Sequence, residues 1–374
     1  MKHLKLLCGV VCFLMLASNV GSMSRWNEAR GVFDDVCYLR QAHLFQRFGI
    51  SGLDTDISRD DDHYLTTKLK QIGFPTAADV TTAPCHTRMA SGKQVIQYPP
   101  GTGFALALFP EGHQVIPLYV LASTLLFAFA ILAIAAARTT VSVVLAGAFG
   151  CLAIYLMINP SKASYSMAPT MMVCAVAGWL TARLFGGAQA VHRPWLTAAL
   201  GLVLGVSVNF RLPNLFLGAG CLLFFPIALL WTRKIAFAGQ GGLFGAAFLV
   251  GLAPTLVANA INAGSPFATT YGGQDVAPPD FSFSVIREYA GDQQSLLLLL
   301  AIGCAVWLVR PGGGAGTRRI ALVVGLNLLV NMAFFMSHTV VTPYYTVPIA
   351  MLSLWTLLFA SLMPASEPKT RLTS

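Results

Sequence analysis

Residues 117–137 read Pro-Leu-Tyr-Val-Leu-Ala-Ser-Thr-Leu-Leu-Phe-Ala-Phe-Ala-Ile-Leu-Ala-Ile-Ala-Ala-Ala, an uncharged apolar run closed by Arg138. A helix crossing the hydrocarbon core of a bilayer needs about 20 such residues, because no water is present there to solvate charges or bare backbone groups. The same ruler laid along the 374-residue chain finds ten candidate spans, near 4–22, 117–137, 141–158, 167–182, 195–210, 212–232, 242–261, 294–309, 320–337 and 345–363. Composition agrees, with 56% hydrophobic and 10% charged residues, against roughly 25% charged in soluble domains. The expected fold is an all-α polytopic membrane protein of about ten transmembrane helices.

Lys2, His3 and Lys5 precede an apolar run to Ala17, a pattern shared by a first span and by a cleaved signal peptide. With these lysines held in the cytoplasm, ten spans place both termini inside. Arg138, Arg183, Arg193, Arg233, Lys234, Arg310, Arg318, Arg319, Lys369 and Arg371 then all fall on the inner side, as the positive-inside rule requires. Short outer loops hold only Lys162, Arg211 and Arg287. The formal charge of +9 is thus spread over helix-anchoring inner loops, and no nucleic-acid partner is expected. The acids divide the other way. Of 15 Asp and Glu, only Glu367, in the cytoplasmic tail 364–374, lies inside, and no span contains one.

Two segments are long enough to carry a function, a first outer loop at 24–115 and a second at 262–293. In the first, Phe33, Val36, Tyr38, Leu39, Ala42, Phe45 and Phe48 recur every three or four residues, the period of an amphipathic helix. It is expected at the membrane surface, with Asp34, Asp35, Arg40 and Gln41 on its other face. Gly73-Phe74-Pro75 and Tyr98-Pro99-Pro100-Gly101 are turn signals. Residues 104–109 are apolar but too short to span, so they are read as a re-entrant or interfacial helix whose ends must be covered by protein.

Asp34-Asp35 puts two carboxylates at a helix N-terminus, where the macrodipole favours acids in any case. The surrounding Phe33-Asp34-Asp35-Val36-Cys37-Tyr38-Leu39-Arg40-Gln41-Ala42 resembles the first outer loop of GT-C superfamily glycosyltransferases, where an acidic pair precedes Tyr-Leu and a small residue. Four further stretches follow in the family's order: Tyr98-Pro99-Pro100-Gly101, Asn209-Phe210-Arg211-Leu212-Pro213, Asn259 to Phe267 with Tyr271, and Pro343-Tyr344-Tyr345-Thr346-Val347-Pro348. The last lacks the arginine often found there. The resemblance is nearest in style to protein O-mannosyltransferases and to aminoarabinose and Rhizobium-type lipopolysaccharide sugar transferases. It covers residues 1–363 as one transmembrane module, without the soluble C-terminal domain of many members.

That resemblance implies an inverting transferase working on the periplasmic side of a bacterial inner membrane. Its donor would be a polyprenyl-phosphate sugar and its acceptor a glycan, lipid or protein. The distribution of acids agrees, because sugar nucleotides are cytoplasmic and this chain has almost no carboxylate there. A single displacement needs a base for the acceptor hydroxyl and a cation for the departing phosphate. Asp34 is the expected base, with Asp35 orienting base or acceptor. Arg211 is the expected phosphate ligand, guanidinium matching phosphate in a two-pronged way; the alternative is snorkelling to the interface. Tyr98, Lys162, Tyr271, His338 and Tyr344 complete the expected substrate-binding set. No cofactor and no metal are expected.

Residues 54–63, Asp-Thr-Asp-Ile-Ser-Arg-Asp-Asp-Asp-His, alternate oxygen ligands like the start of a calcium loop. They lack its glycine and twelfth-position acid and are read as a solvated acidic turn. Cys37 and Cys85 are the cysteines outside the spans; whether they are close enough to pair is open at this level. A transporter or flippase of lipid-linked glycans is the competing function. It would be expected to place ionisable groups in mid-membrane, where this chain has no acid. A scaffold or polymer ligase has no positive signature here.

Overall fold

The computed structural model describes residues 1–28, 33–73, 83–159, 164–187, 193–271, 280–291, 295–310, 314–337 and 343–363. It is mostly helical. Helix α1 (Lys2–Met23) leads into a folded segment made of α2 (Phe33–Phe48), α3 (Tyr64–Gln71), the antiparallel hairpin β1 (His86–Arg88) with β2 (Gln94–Ile96), and α4 (Gly101–Ala107). The bundle continues through α5 (Val115–Ala136), α6 (Thr140–Tyr155), α7 (Met167–Phe185), α8 (Pro194–Val208), α9 (Ala219–Thr232) and α10 (Ala236–Ala263). It ends with α11 (Phe283–Gly291), α12 (Ser295–Val309), α13 (Ala315–Ser337) and α14 (Pro343–Leu362).

Among the described residues, seven helical segments are long and apolar enough to cross a membrane: α1, α5, α7, α9 with the 3-10 turn before it, α10, α13 and α14. Helices α6, α8 and α12 are apolar but shorter, at 16, 15 and 15 residues. Each of these helices overlies one of the ten apolar runs read from the sequence, and seven of them reach spanning length. Helix α7 is the innermost and α1 the most exposed of the long ones. Close packing depends on small residues: a Cβ at Gly201 of α8 would stand 2.5 Å from the Phe244 carbonyl of α10.

The helix ends gather at two poles. At one, Lys5 Nζ donates to Ala135 O, Arg193 to Arg183 O and Arg319 to Gly187 O. At the other, the folded segment caps the bundle: Asn262 of α10 accepts from Thr55 N and donates to Leu53 O, and Gly101 N donates to Asn209 O at the end of α8.

The capped pole corrects one expectation. Helix α2 forms as its periodicity predicts, but its polar side does not face water, since Asp35, Arg40 and Gln41 are all buried. The segment after α2 folds back over that side. Arg40 donates to Thr55 O, Asp56 O and His86 Nε2, and its Nε lies 3.5 Å from Asp60. The acidic turn is solvated only in part, with Ser58, Asp61, Asp62 and His63 exposed. Asp54 pairs with Lys93 and Arg59, while Asp56 and Asp60 accept from Gln94 N and Leu65 N; Asp61 remains mostly exposed beside Arg47. Cys37 and Cys85 form a disulfide, joining α2 to the hairpin.

The short apolar run is helix α4, packed against α2 with both ends covered. Gln41 Oε1 accepts from Gly103 N, and Gln46 Nε2 donates to the carbonyls of Ala107 and Phe109.

Candidate active site

Asp34 lies in the first turn of α2, partly buried beneath the cap. Tyr98 Oη donates to its Oδ1 at 2.5 Å. Tyr98 leaves β2 just before Pro99-Pro100, whose fixed φ angles direct the chain into α4. Its ring stacks on Tyr38, centroids 4.8 Å apart, and meets Tyr271 edge-on at 6.4 Å. Tyr38 follows Asp34 by four residues and so shares its face of α2. Thr270 Oγ1 donates to Gln97 O, which pins the Tyr271 strand of chain beside Tyr98.

Arg211 enters from the bundle side, in the extended link between α8 and the 3-10 turn Leu212–Gly218. It is almost fully buried. Its guanidinium lies over the Tyr345 ring at 4.8 Å, and Nη1 stands 2.6 Å from Met167 Sδ.

Electrostatics link these groups. Burial pushes the Asp34 carboxyl above its ordinary pKa, while the Tyr98 hydroxyl and the Arg211 charge each pull part of the way back. Tyr38 is pushed up to about 12, chiefly by burial, although Ser166, Arg211 and Ser164 favour its ionised form. Tyr98 and Tyr271 are also raised, again mainly by burial. The phenols therefore stay neutral O–H donors beside a carboxylate whose basicity exceeds that of a free one.

Four of the expected residues, Asp34, Tyr98, Arg211 and Tyr271, are thus brought together. Asp35 sits in the same helical turn but is wholly buried. Tyr344 begins α14, and its side chain, like Lys162 and His338, lies outside the described residues. Sequence reading passed over Tyr38, Tyr345, Ser164 and Ser166. The four-residue spacing from Asp34 was the available signal for Tyr38; nothing local singled out the serines.

Among the described residues, one cluster has three metal-type donors, Cys37, Cys85 and His86. Its sulfurs are spent in the disulfide, and both imidazole nitrogens are engaged, Nδ1 at 2.7 Å from Pro84 O and Nε2 at 2.8 Å from Arg40. That cluster braces the cap.

A half-open groove of about 760 Å³ lies beside the site. Its walls come from α2 (Phe45, Gln46), α4 (Phe104, Ala107) with Leu108 just past its end, and the bundle helices α8 and α10 (Val206, Val250). The exposed side chains of Phe104, Leu108, Leu202 and Val250 continue it onto the apolar flank of the bundle. The groove runs up to Pro100 and Phe210, which neighbour Tyr98 and Arg211 in the chain. No protein-family model matches this chain and no curated protein matches it, so the chemistry of the site is read from its own geometry.

Proposed function

We propose that the protein is an inverting membrane glycosyltransferase that moves a sugar from a polyprenyl-phosphate carrier to a glycan, lipid or protein acceptor. All ten apolar helices cross a bacterial inner membrane in this reading, with both termini in the cytoplasm and the capped pole in the periplasm. The observation that carries it is the Asp34 carboxylate, made more basic by burial, held by Tyr98 and felt by the Arg211 charge.

In the reaction, Asp34 takes the proton of the acceptor hydroxyl as that oxygen bonds to the anomeric carbon. The bond from this carbon to the phosphate oxygen breaks on the opposite face, and the electron pair leaves with the carrier phosphate. Arg211 neutralises that phosphate, a charge-assisted contact of the strong kind. Tyr38, Tyr98 and Tyr271 offer aromatic faces and hydroxyl donors to the sugar. The lateral groove supports the donor class, because an apolar carrier chain must reach the site from lipid.

The test is reconstitution in vesicles with a polyprenyl-phosphate sugar. Asp34→Asn is expected to slow transfer by about 10² to 10⁴-fold, the usual worth of a general base, while carrier binding changes little. Transfer at the normal rate in that variant would remove Asp34 from the mechanism. Movement of intact carrier between leaflets without transfer would replace the transferase by a flippase.

A further inference from the structure

Asn209 ends α8 two residues before Arg211, is buried, and touches three elements. Its carboxamide reaches α10, where Nδ2 donates to Gly251 O at 2.7 Å and Oδ1 accepts from Thr255 N at 2.9 Å and Thr255 Oγ1 at 2.7 Å. Gly251 and Thr255 are one helical turn apart, on either side of Pro254 inside α10. Proline lacks an N–H and crowds the preceding turn, so the helix is weakened there and takes polar partners from outside. A carboxamide supplies one donor and one acceptor together. Aspartate would lose the donor, and leucine both.

The main chain of Asn209 makes the second tie. Its carbonyl accepts from Gly101 N, the first residue of α4, at 2.7 Å. A Cβ on Gly101 would stand 2.7 Å from that same oxygen, so only glycine permits the approach. Phe210, next in sequence, accepts from Thr102 Oγ1 at 3.2 Å and lines the groove. Arg211 follows.

The turn of α10 around Pro254 and the start of α4 both line the groove, and both are tied to the residue that leads into the arginine. We propose that Asn209 is a positioning residue that fixes the groove relative to Arg211, making recognition of an apolar chain and grip on its phosphate one event. The identity of the ligand as a carrier rests on the transferase reading; the coupling does not. A protein so built discriminates among phosphorylated isoprenoids by chain length, and loses that discrimination when the carboxamide is altered.

The experiment measures Kd of the purified protein for a long-chain polyprenyl phosphate and for its two-isoprene analogue. The intact protein is expected to favour the long chain about tenfold or more, that is about 1.4 kcal/mol. Asn209→Asp, which keeps shape and acceptor but loses the donor, should bring the two within about twofold, whereas Arg211→Gln should weaken both alike. Thr255→Val, which removes one of the two donors to Oδ1, should show a smaller loss of the ratio and guards against an Asn209 variant that fails to fold. An unchanged ratio in a folded Asn209→Asp protein, or no chain-length preference in the intact one, overturns the proposal. Preserved chain-length selectivity with no sugar transfer would sink the transferase and leave the role of Asn209 standing.

Discussion

Asp34 is held between opposing influences, burial raising its pKa and the Tyr98 hydroxyl and Arg211 charge lowering it. Tyr98→Phe removes one lowering influence and leaves burial less opposed. The proton acceptor is then lost at a higher pH on acidification, so the acid limb of the transfer-rate profile should move upward in pH. A limb that stays put, or moves down, would mean that the hydrogen bond does not tune the base. Residue types at this site were legible because each stands at a turn or helix end. Rotation about the helices was not. Adjacent residues differ by about 100° around a helix axis, which is why Asp35 is wholly buried beside a partly exposed Asp34, and the sequence did not single out Tyr345, whose ring lies under Arg211.

At the scale of elements, α2 was legible in its period but not in which side meets water. A buried Arg40 is tolerable only with its partners in place, and those partners come from 15 to 46 residues further along the chain. His86 is one of them. Burial first, and the Arg40 charge second, lower its pKa from 6.5 to about 4. Between those values the unfolded chain binds a proton that the folded one refuses, so stability falls as pH drops from 6.5 to 4 and levels off below. The linked loss is roughly 3 kcal/mol. Thermal unfolding followed from pH 7 to 4 should show this slope, and His86→Gln should flatten it; an equal slope would exclude His86 as its source. The disulfide closes the same structure. With Cys37 and Cys85 separated by 48 positions in sequence, closing the loop is worth about 4 kcal/mol of chain entropy. Reductant should therefore lower the melting temperature of the intact protein and leave a Cys37→Ser/Cys85→Ser variant unaffected. Sequence left this pairing open because distance between loop residues is set by a fold that neither cysteine encodes.

Over the whole molecule, the apolar runs marked all ten helices of the bundle. Helices α6, α8 and α12 come out at 15 or 16 residues, about 23 Å at 1.5 Å per residue. Hydropathy cannot see where a helix yields to a turn: α8 stops at Val208, and the carbonyl of Asn209 accepts from Gly101 N of the cap. Charge at the helix ends supports a direction for the proposed topology. Arg183, Arg193, Arg310, Arg318 and Arg319 stand at or beside helix ends of the uncapped pole, and basic flanks of this kind are retained in the cytoplasm. In the proposed reading the capped pole, with Asp34 and Arg211, therefore faces outward. Exposed Ser91, in the turn of the hairpin, and exposed Ala315, at the start of α13, report on the two poles. In a background lacking the six unpaired cysteines, Ser91→Cys should react with a membrane-impermeant maleimide on intact spheroplasts, and Ala315→Cys only after lysis. The reverse pattern would turn the site toward the cytosol, where a water-soluble sugar nucleotide is at hand and a lipid-tethered donor has no reason to be used.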